Sequence, residues 1–264
     1  MDLQLKNKVA VLAASTDGLG LATAKQLLHE GAKVAICGRD EKRNAAAYNA
    51  LTEAYDADDI LVHQCDVTDK TQVDAFIIAT IKKFTQIDIV ITNAGGPPTG
   101  TFETLDIDAY NQAFQLTLMS AVYFIKATLP HLKKSDAASI LTITSRSAKS
   151  PIPNLFMSNI IRPAVIGLTK TLSQEFGEYG IRVNSILPGW NETDRTVHLI
   201  EKRAEKLGIS FDACKSDIVK NLPLKRMGKP EEFANAATFL VAPAASYING
   251  VMLLVDGGDY PGLG

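Results

Sequence analysis

The chain alternates short apolar segments with longer segments of helical periodicity along almost its whole length. Seven segments rich in valine and isoleucine are nearly continuous apolar runs, which is typical of parallel strands covered on both faces. The alternation predicts right-handed β–α–β connections and one doubly wound parallel sheet of about seven strands, a three-layer α/β fold. The predicted strands are 9–15, 33–39, 60–66, 88–94, 139–145, 182–188 and 252–258, and the predicted helices lie near 18–30, 41–55, 69–84, 107–134, 156–178 and 230–242.

A single domain is expected over residues 1–264, because no linker, repeat or low-complexity segment interrupts this order. One stretch departs from it: residues 190–229 are charged and helix-prone, and they lie between the last two predicted strands. Ligands of open α/β sheets bind beyond the carboxyl ends of the strands, so we expect this insertion to cover a binding site. Gly31 is expected to end the first helix and Asp69 to cap the third.

Charge and composition argue against several functional classes. The chain carries 27 basic and 29 acidic residues, a formal net charge of −2, which favours neither a nucleic-acid nor a membrane partner. No apolar run approaches the ~18 residues of a membrane span, and the start lacks the layout of a signal peptide. Cys37, Cys65 and Cys214 are far apart and form no C-x-x-C motif. We therefore expect a soluble cytoplasmic protein with buried thiols and no metal site.

Two glycines open the first predicted helix directly after the first predicted strand. The segment AASTDGLG at 13–20 places Gly18 and Gly20 at the helix start. Backbone N–H groups at such a start can meet a phosphate. The arrangement predicts dinucleotide binding, with a plain tight turn as the alternative.

Further motifs accompany this glycine pair. Asn93-Ala94-Gly95 ends the fourth predicted strand, CDV stands at 65–67, PG at 188–189, and the last third contains PLKRMGKPEEFANAATFL followed by NGVMLLVDGG. Together these motifs resemble the short-chain dehydrogenase/reductase family over essentially the whole chain, and the chain is similar to its 3-oxoacyl-[acyl-carrier-protein] reductase branch. The resemblance implies a three-layer Rossmann fold and a homotetramer.

The resemblance also implies a nicotinamide cofactor, with NADP favoured and NAD as the alternative. Gly38 aligns with the carboxylate of NAD-preferring members, and Arg39 suits a 2′-phosphate unless it is only a solvated charge. Ala14 replaces the first motif glycine, and its β-carbon is expected to be tolerated provided that φ is negative. The residues implied in cofactor binding are Ala14, Ser15, Thr16, Gly18, Leu19, Gly20, Arg39, Asp66, Val67, Asn93, Ala94, Gly95, Arg162, Pro188, Gly189 and Thr193.

In the family, catalysis uses Asn, Ser, Tyr and Lys, and three of the four are exchanged here. Ser145 matches the catalytic Ser, while in LFMSNIIRP (155–163) Ser158 stands at the Tyr position and Arg162 at the Lys position. Thr117 falls at the Asn position. A Ser hydroxyl is far less acidic than the phenol of Tyr, whose pKa is ~10. Losing a positioned general acid removes roughly 10²–10⁴-fold in rate, so cofactor binding is expected to survive better than proton transfer.

Two functions are compatible with these exchanges. The first is an NADP(H)-dependent oxidoreductase that acts on a carbonyl or alcohol with atypical proton delivery. Arg146 and Lys149 in SRSAKSP favour an anionic small-molecule substrate unless they are solvated loop charges. His198 is a candidate acid, with an ordinary surface histidine as the alternative. The second is a non-catalytic NADP-binding sensor or assembly subunit.

Overall fold

In the computed structural model, which describes residues 1–263, seven parallel strands form one sheet in the order β3-β2-β1-β4-β5-β6-β7. Every neighbouring pair is parallel, as right-handed crossovers through helices require. The predicted doubly wound α/β fold is confirmed. In chain order the strands are Val9–Leu12 (β1), Lys33–Gly38 (β2), Ile60–Gln64 (β3), Ile89–Thr92 (β4), Ser139–Ile143 (β5), Arg182–Pro188 (β6) and Met252–Val255 (β7).

The described residues form nine α-helices. They are Gly18–His29 (α1), Glu41–Thr52 (α2), Lys70–Phe84 (α3), Ile107–Phe114 (α4), Ser120–Leu132 (α5), Phe156–Glu175 (α6), Asp194–Leu207 (α7), Phe211–Asn221 (α8) and Pro230–Val241 (α9). The single helix predicted over 107–134 is interrupted, because Gln115–Met119 adopts one π-helical turn between α4 and α5. Residues 190–229 contain α7 and α8, which bury a small core of their own.

Alternation along the strands divides the main core between the two faces of the sheet. In β1, Val9 and Val11 pack toward one face, while Ala10 and Leu12 pack toward the other, as the pleat requires. Helices α1, α2 and α9 cover the face of Leu12, and α3 and α5 cover the opposite face. Two covered faces explain why the strands are apolar throughout.

Both predicted helix caps are present. Gly31 adopts a φ of +80° immediately after α1, a left-handed conformation that costs glycine little. The Asp69 side chain accepts hydrogen bonds from the backbone N–H groups of Thr71 at 2.8 Å and Gln72 at 3.3 Å, at the start of α3.

A buried cation joins the sheet to the end of α9. The Arg182 guanidinium donates hydrogen bonds to the carbonyls of Leu240 at 2.7 Å, Val241 at 3.0 Å and Ala242 at 3.0 Å. Carbonyls at a helix end lack intrahelical donors, and a cation there also offsets the negative end of the helix dipole. Arg182 is therefore a structural residue.

Several predicted strands are longer than the observed ones. β1 ends at Leu12 rather than at residue 15, and β7 ends at Val255 rather than at 258. The residues beyond these ends leave the ladder to form loops. β2 and β4 lie on opposite sides of β1, so the chain builds one half of the sheet outward from β1 and the other half outward from β4. The loops after β1 and β4 therefore diverge and leave a crevice between them.

Within residues 1–263 no helix combines the length and the apolar character that crossing a membrane would require. The same residues contain no group of three or more His, Cys, Asp or Glu side chains arranged to hold a metal ion. The three cysteines are buried and free.

Candidate active site

A cavity of about 570 Å³ opens beyond the carboxyl ends of β1, β4, β5 and β6. The loops that follow these strands supply one part of its wall, and the first turns of α7 supply another. It brings together twelve of the residues that the sequence indicated. These are Ala14, Gly18, Leu19, Asn93, Ala94, Gly95, Ser145, Ser158, Arg162, Pro188, Gly189 and Thr193.

The turn between β1 and α1 is held by short contacts. Ser15 is fully buried, and its hydroxyl donates a hydrogen bond to the carbonyl of Ala13 at 2.7 Å. A β-carbon on Gly20 would lie 2.7 Å from Cα and Cβ of Ser15, so only glycine allows α1 to pack this closely on the turn. The Asp17 side chain caps α1 by accepting from the N–H of Gly18 at 2.7 Å. The start of α1 therefore borders the cavity in the arrangement that suits a phosphate.

Ala14 differs from expectation. Its φ is +45°, in the left-handed region, so the condition on which its β-carbon was expected to be tolerated, a negative φ, is not met. For a residue with a β-carbon this conformation costs about 1–2 kcal/mol. The Asn93 side chain donates a hydrogen bond to the carbonyl of Ala14 at 3.0 Å, which ties the loop after β4 to this strained turn.

The hydroxyls on the opposite wall form a connected network. Ser158, from the first turn of α6, lies 2.9 Å from the hydroxyl of Ser147, and either oxygen can be the donor. Arg162 stands one turn further along α6 and donates from Nε to Ser158 Oγ at 3.1 Å. Ser145 follows β5, and its hydroxyl accepts from the N–H of Ser147 at 3.1 Å. The two residues of LFMSNIIRP thus lie together, beside Ser145.

Arg162 is half-buried on the cavity wall. Its Nη1 also donates to the carbonyl of Thr144 at 2.6 Å, which fixes the guanidinium against the end of β5. Burial, and secondly the charge of Arg195, lower the pKa of Arg162 to about 10. At neutral pH the group is still a cation, so it donates hydrogen bonds and does not exchange protons.

Residues 190–229 form another part of the cavity wall. Thr193 caps α7 and lies close to Gly18, where a β-carbon would stand 3.7 Å from its methyl group. Arg195, two residues later, donates to the carbonyl of Pro97 at 3.2 Å. His198 also lines the cavity; its ring is about half exposed and lies 3.7 Å from the carboxylate of Glu201.

A side chain at position 38, at the end of β2, would meet the side-chain ends of Thr16 and Asn44. A β-carbon on Gly38 would lie 2.5 Å from Thr16 Oγ1 and 2.7 Å from Asn44 Oδ1. Arg43 lines the cavity and forms an ion pair of 3.3 Å with Asp17. Basic residues without an acid at position 38 suit a 2′-phosphate.

Some of the sequence-indicated residues do not line the cavity. Asp66 accepts hydrogen bonds from the N–H and the hydroxyl of Thr68 at 2.9 and 2.7 Å, within the loop after β3. Thr117 is buried in the π-helical turn, and its hydroxyl has no hydrogen-bond partner within the described chain. Ser15, Thr16, Gly20, Arg39, Thr117, Asp66 and Val67 are the residues outside the lining.

Arg146 and Lys149, the cations of SRSAKSP, do not line the cavity, contrary to the expectation from the sequence. Arg146 forms an ion pair of 2.7 Å with Asp259, and the side chains of both are largely buried. Lys149 lies 5.7 Å from the centre of the Tyr260 ring. Because the C-terminal segment engages both cations, the expectation that they attract an anionic substrate loses its basis.

Two cations of the cavity wall, Arg43 and Arg195, were not predicted from the sequence. Each lies in the first turn of a helix whose start borders the cavity. Arg43 is one turn beyond Arg39, and Arg195 is two residues beyond Thr193. The available signal was this spacing, since residues within one turn of a site residue share its end of the helix.

Comparison with known proteins agrees with this geometry. A family model described as Enoyl-(Acyl carrier protein) reductase matches residues 13–259. The chain is 31% identical over 256 residues to Dehydrogenase/reductase SDR family member 4 of Oryctolagus cuniculus, covering 96% of this chain and 94% of that protein.

Two solved structures are similar over nearly the full length. One is L-sorbose reductase from Gluconobacter frateurii complexed with NADPH and L-sorbose, with a TM-score of 0.94, 28% identity and 100% coverage of both chains. The other is a short chain oxidoreductase from Pseudomonas aeruginosa PAO1 containing an atypical catalytic center, with a TM-score of 0.89, 33% identity and 98% coverage of both chains. An NADPH-bound structure of the latter gives a TM-score of 0.87. On these matches, together with the sheet and the glycine turn, the chain belongs to the short-chain dehydrogenase/reductase family.

Proposed function

We propose that the chain is an NADP(H)-dependent oxidoreductase that interconverts a carbonyl and an alcohol, with proton delivery unlike that of most of its family. The observation that carries this proposal is that Ser145, Ser158 and Arg162 line the same cavity as the glycine turn of α1. Relatives of similar fold are an NADPH-bound L-sorbose reductase and an NADPH-bound oxidoreductase with an atypical catalytic center. These relatives favour an enzyme over a sensor or assembly subunit.

The bound nicotinamide would supply or accept the hydride, and the chain's own residues would place it. The first turn of α1, where Leu19 lines the cavity, offers backbone N–H groups to the pyrophosphate, while the N–H of Gly18 is bound to Asp17. Arg43 and Arg39, near the end of β2, are proposed to favour a 2′-phosphate, since Gly38 leaves no carboxylate to repel it. NADP is therefore the preferred cofactor in this proposal.

Ser145 is proposed to donate its hydroxyl hydrogen to the substrate oxygen. The hydroxyl accepts from the N–H of Ser147, so its own hydrogen is free to point into the cavity. A fixed donor at a developing oxyanion contributes about 2.7–4 kcal/mol to catalysis. Ser145 would thus have the role of the matching catalytic Ser in the family.

Ser158 is proposed to hold and pass the proton without ionising. Its oxygen accepts from the cationic Arg162, and the Ser147 hydroxyl lies 2.9 Å away. When Ser147 also donates to it, the hydrogen of Ser158 is left to point into the cavity. One cation cannot lower the pKa of a Ser hydroxyl to about 7, so Ser158 would give its proton to the substrate oxygen while it takes one from Ser147. Solvent water would return a proton to Ser147, so that solvent is the net donor and neither hydroxyl is left ionised.

The proposal also covers the substrate, the assembly and the location of the protein. A 3-oxoacyl-type carbonyl is proposed from the similarity to that reductase branch. A homotetramer is supported by apolar side chains left exposed on the protomer, with Phe102 at 70%, Ile107 at 75% and Ile160 at 45% exposure. The three free buried cysteines are compatible with a cytoplasmic protein. A single domain over 1–264, with 190–229 as its insertion, completes the proposal.

The test begins with the purified protein. NADPH and NADH are titrated by fluorescence, and cofactor oxidation is then followed with acetoacetyl thioester and L-sorbose as carbonyl probes; light scattering on the same sample gives the assembly state. We expect tighter binding of NADPH and turnover of at least one carbonyl. Ser145→Ala and Ser158→Ala should each lower kcat/KM by roughly 10²–10³-fold.

Ser216→Ala is the matched control, because Ser216 is exposed on α8 outside the cavity wall. Its kinetic constants should equal those of the unaltered chain. If Ser158→Ala behaves like this control while the enzyme turns over, the proposed proton route is wrong. If NADPH does not bind, the proposed function is wrong as a whole.

A further inference from the structure

Two cations that the sequence analysis did not connect face the same cavity. Arg162 comes from α6 and Arg195 from the first turn of α7, and both line the wall. Within the described residues neither forms an ion pair with a carboxylate. They differ in this from Arg43, whose charge is offset by Asp17.

The hydrogen bonds of the two arginines fix their place in the cavity. Arg162 is held by the Ser158 hydroxyl and by the carbonyl of Thr144, at the end of β5. Arg195 is held by the carbonyl of Pro97, in the loop after β4. β4 and β5 are neighbours in the sheet, and Ser145 stands at the end of β5.

Both guanidinium groups retain unused donors. Each has five N–H bonds, and in residues 1–263 Arg162 Nη2 and Arg195 Nη1 make no hydrogen bond. The charge of Arg195 contributes, after burial, to the lowered pKa of Arg162, which shows that the two cations repel each other. An anion between them would relieve this repulsion and take up the free donors.

The remaining charges of the wall do not cancel the pair. Asp194 lines the cavity beside Arg195, and it is the only acid of the lining that has no basic partner in the described chain. His198 is about half exposed beside Glu201. Two unpaired arginines against one unpaired carboxylate leave this part of the wall positive.

We propose that Arg162 and Arg195 together bind an anionic group, a carboxylate or phosphate, that the substrate carries beside its reacting carbonyl. This inference rests on the proposed function and names its substrate class: carbonyl compounds that carry a carboxylate or phosphate, and the corresponding alcohols. Arg195 is the specificity-determining residue of the pair, because Arg162 also serves Ser158.

The cofactor is the other possible source of an anion. Its pyrophosphate is expected at the start of α1, and its 2′-phosphate near Arg43. Arg162 is instead hydrogen-bonded to the carbonyl of Thr144, at the end of β5, and to Ser158, the residue assigned to proton transfer. The geometry therefore favours a substrate anion over a cofactor phosphate.

The test uses malonate as an anionic probe and malonamide as its neutral counterpart. Each is titrated calorimetrically into the protein saturated with NADP⁺, and NADPH affinity is measured separately. We expect malonate to bind roughly tenfold or more tightly than malonamide, since bonds to charged groups are worth about 1.5–3 kcal/mol. Arg195→Gln should remove this preference, and Arg195→Lys should restore part of it. Arg203→Gln, an exposed change on the same helix, is the control and should bind both probes like the unaltered chain.

Two outcomes would overturn the inference. Malonate binding no tighter than malonamide to a protein that does bind NADPH removes the anion site and leaves the proposed function standing. A loss of NADPH affinity in Arg195→Gln equal to its loss of malonate affinity assigns the arginine to the cofactor. Failure of the unaltered chain to bind NADPH would instead refute the proposed function, and the substrate assignment with it.

Discussion

The close approach of Gly20 to Ser15 allows a quantitative prediction for the variant Gly20→Ala. The new β-carbon would lie 2.7 Å from the backbone and the β-carbon of Ser15, a residue that is fully buried and hydrogen-bonded. Neither partner is the flexible end of a side chain, so the turn or α1 must shift. Overpacking of this kind costs about 1–3 kcal/mol, and the contact with backbone places it in the upper half of that range. Alanine in a helix returns about 1 kcal/mol, which leaves a net loss of about 1–2 kcal/mol.

Gly167→Ala is the matched control. Gly167 is exposed within α6, and a β-carbon there would meet nothing within 4 Å. The same substitution is expected to stabilise this site by about 0.5–1 kcal/mol. Urea unfolding of both variants should therefore separate them by about 1.5–3 kcal/mol, the sum of the loss and the gain.

The second measurement is NADPH affinity. A shifted turn moves the backbone N–H groups of the α1 start, so Gly20→Ala should bind NADPH at least roughly tenfold more weakly, the equivalent of 1.4 kcal/mol. Gly167→Ala should bind it normally. Equal stability and equal NADPH affinity in the two variants would refute the view that close packing at Gly20 shapes the cofactor turn.

Two further predictions concern stability. Arg182→Met should lower the free energy of unfolding by about 3 kcal/mol in urea titration, because it leaves the buried carbonyls at the end of α9 without donors. Arg203→Met, on the surface, is the control and should change it by less than about 0.5 kcal/mol. Similar losses in both variants would contradict the structural role of Arg182. Hydrogen bonds from Arg226 lower the pKa of Glu232 from 4.5 to about 2. A pKa that is lower in the folded state stabilises above pH 4.5, and this contribution is lost as the pH falls toward 2. Glu232→Gln should thus lose stability less steeply between pH 5 and 3; unchanged steepness would show that the carboxylate is not coupled to folding.

The sheet could be predicted because its signal is local and repeated. Each strand is an apolar run covered on both faces, and each crossover needs a helix, so the order of segments determines the fold class. The strand ends were harder to predict, because the point at which a strand leaves the ladder depends on its neighbours in the sheet and not on a local residue pattern. The π-helical turn at Gln115–Met119 has no local signal either, since its residues also fit an ordinary helix.

The candidate site was predictable where motifs carry it and not where distant parts of the chain meet. The glycine turn and Ser145 were indicated by sequence and line the cavity. The ion pair between Arg146 and Asp259 joins residues far apart in the chain, so no local sequence pattern indicates that the charge of Arg146 is neutralised. The positive φ of Ala14 is likewise set by its surroundings, because an alanine by itself avoids that conformation.

The crowding at Gly38 limits how this enzyme's coenzyme choice can be re-engineered. Introducing an acid at position 38, the usual design for favouring NAD, would drive the new side chain into Thr16 and Asn44. Replacing Asn44 with a smaller residue at the same time would relieve part of this contact. The other route keeps Gly38 and replaces the exposed Arg39. Natural variation at Gly38 meets the same crowding, because any side chain there requires Thr16 and Asn44 to turn aside.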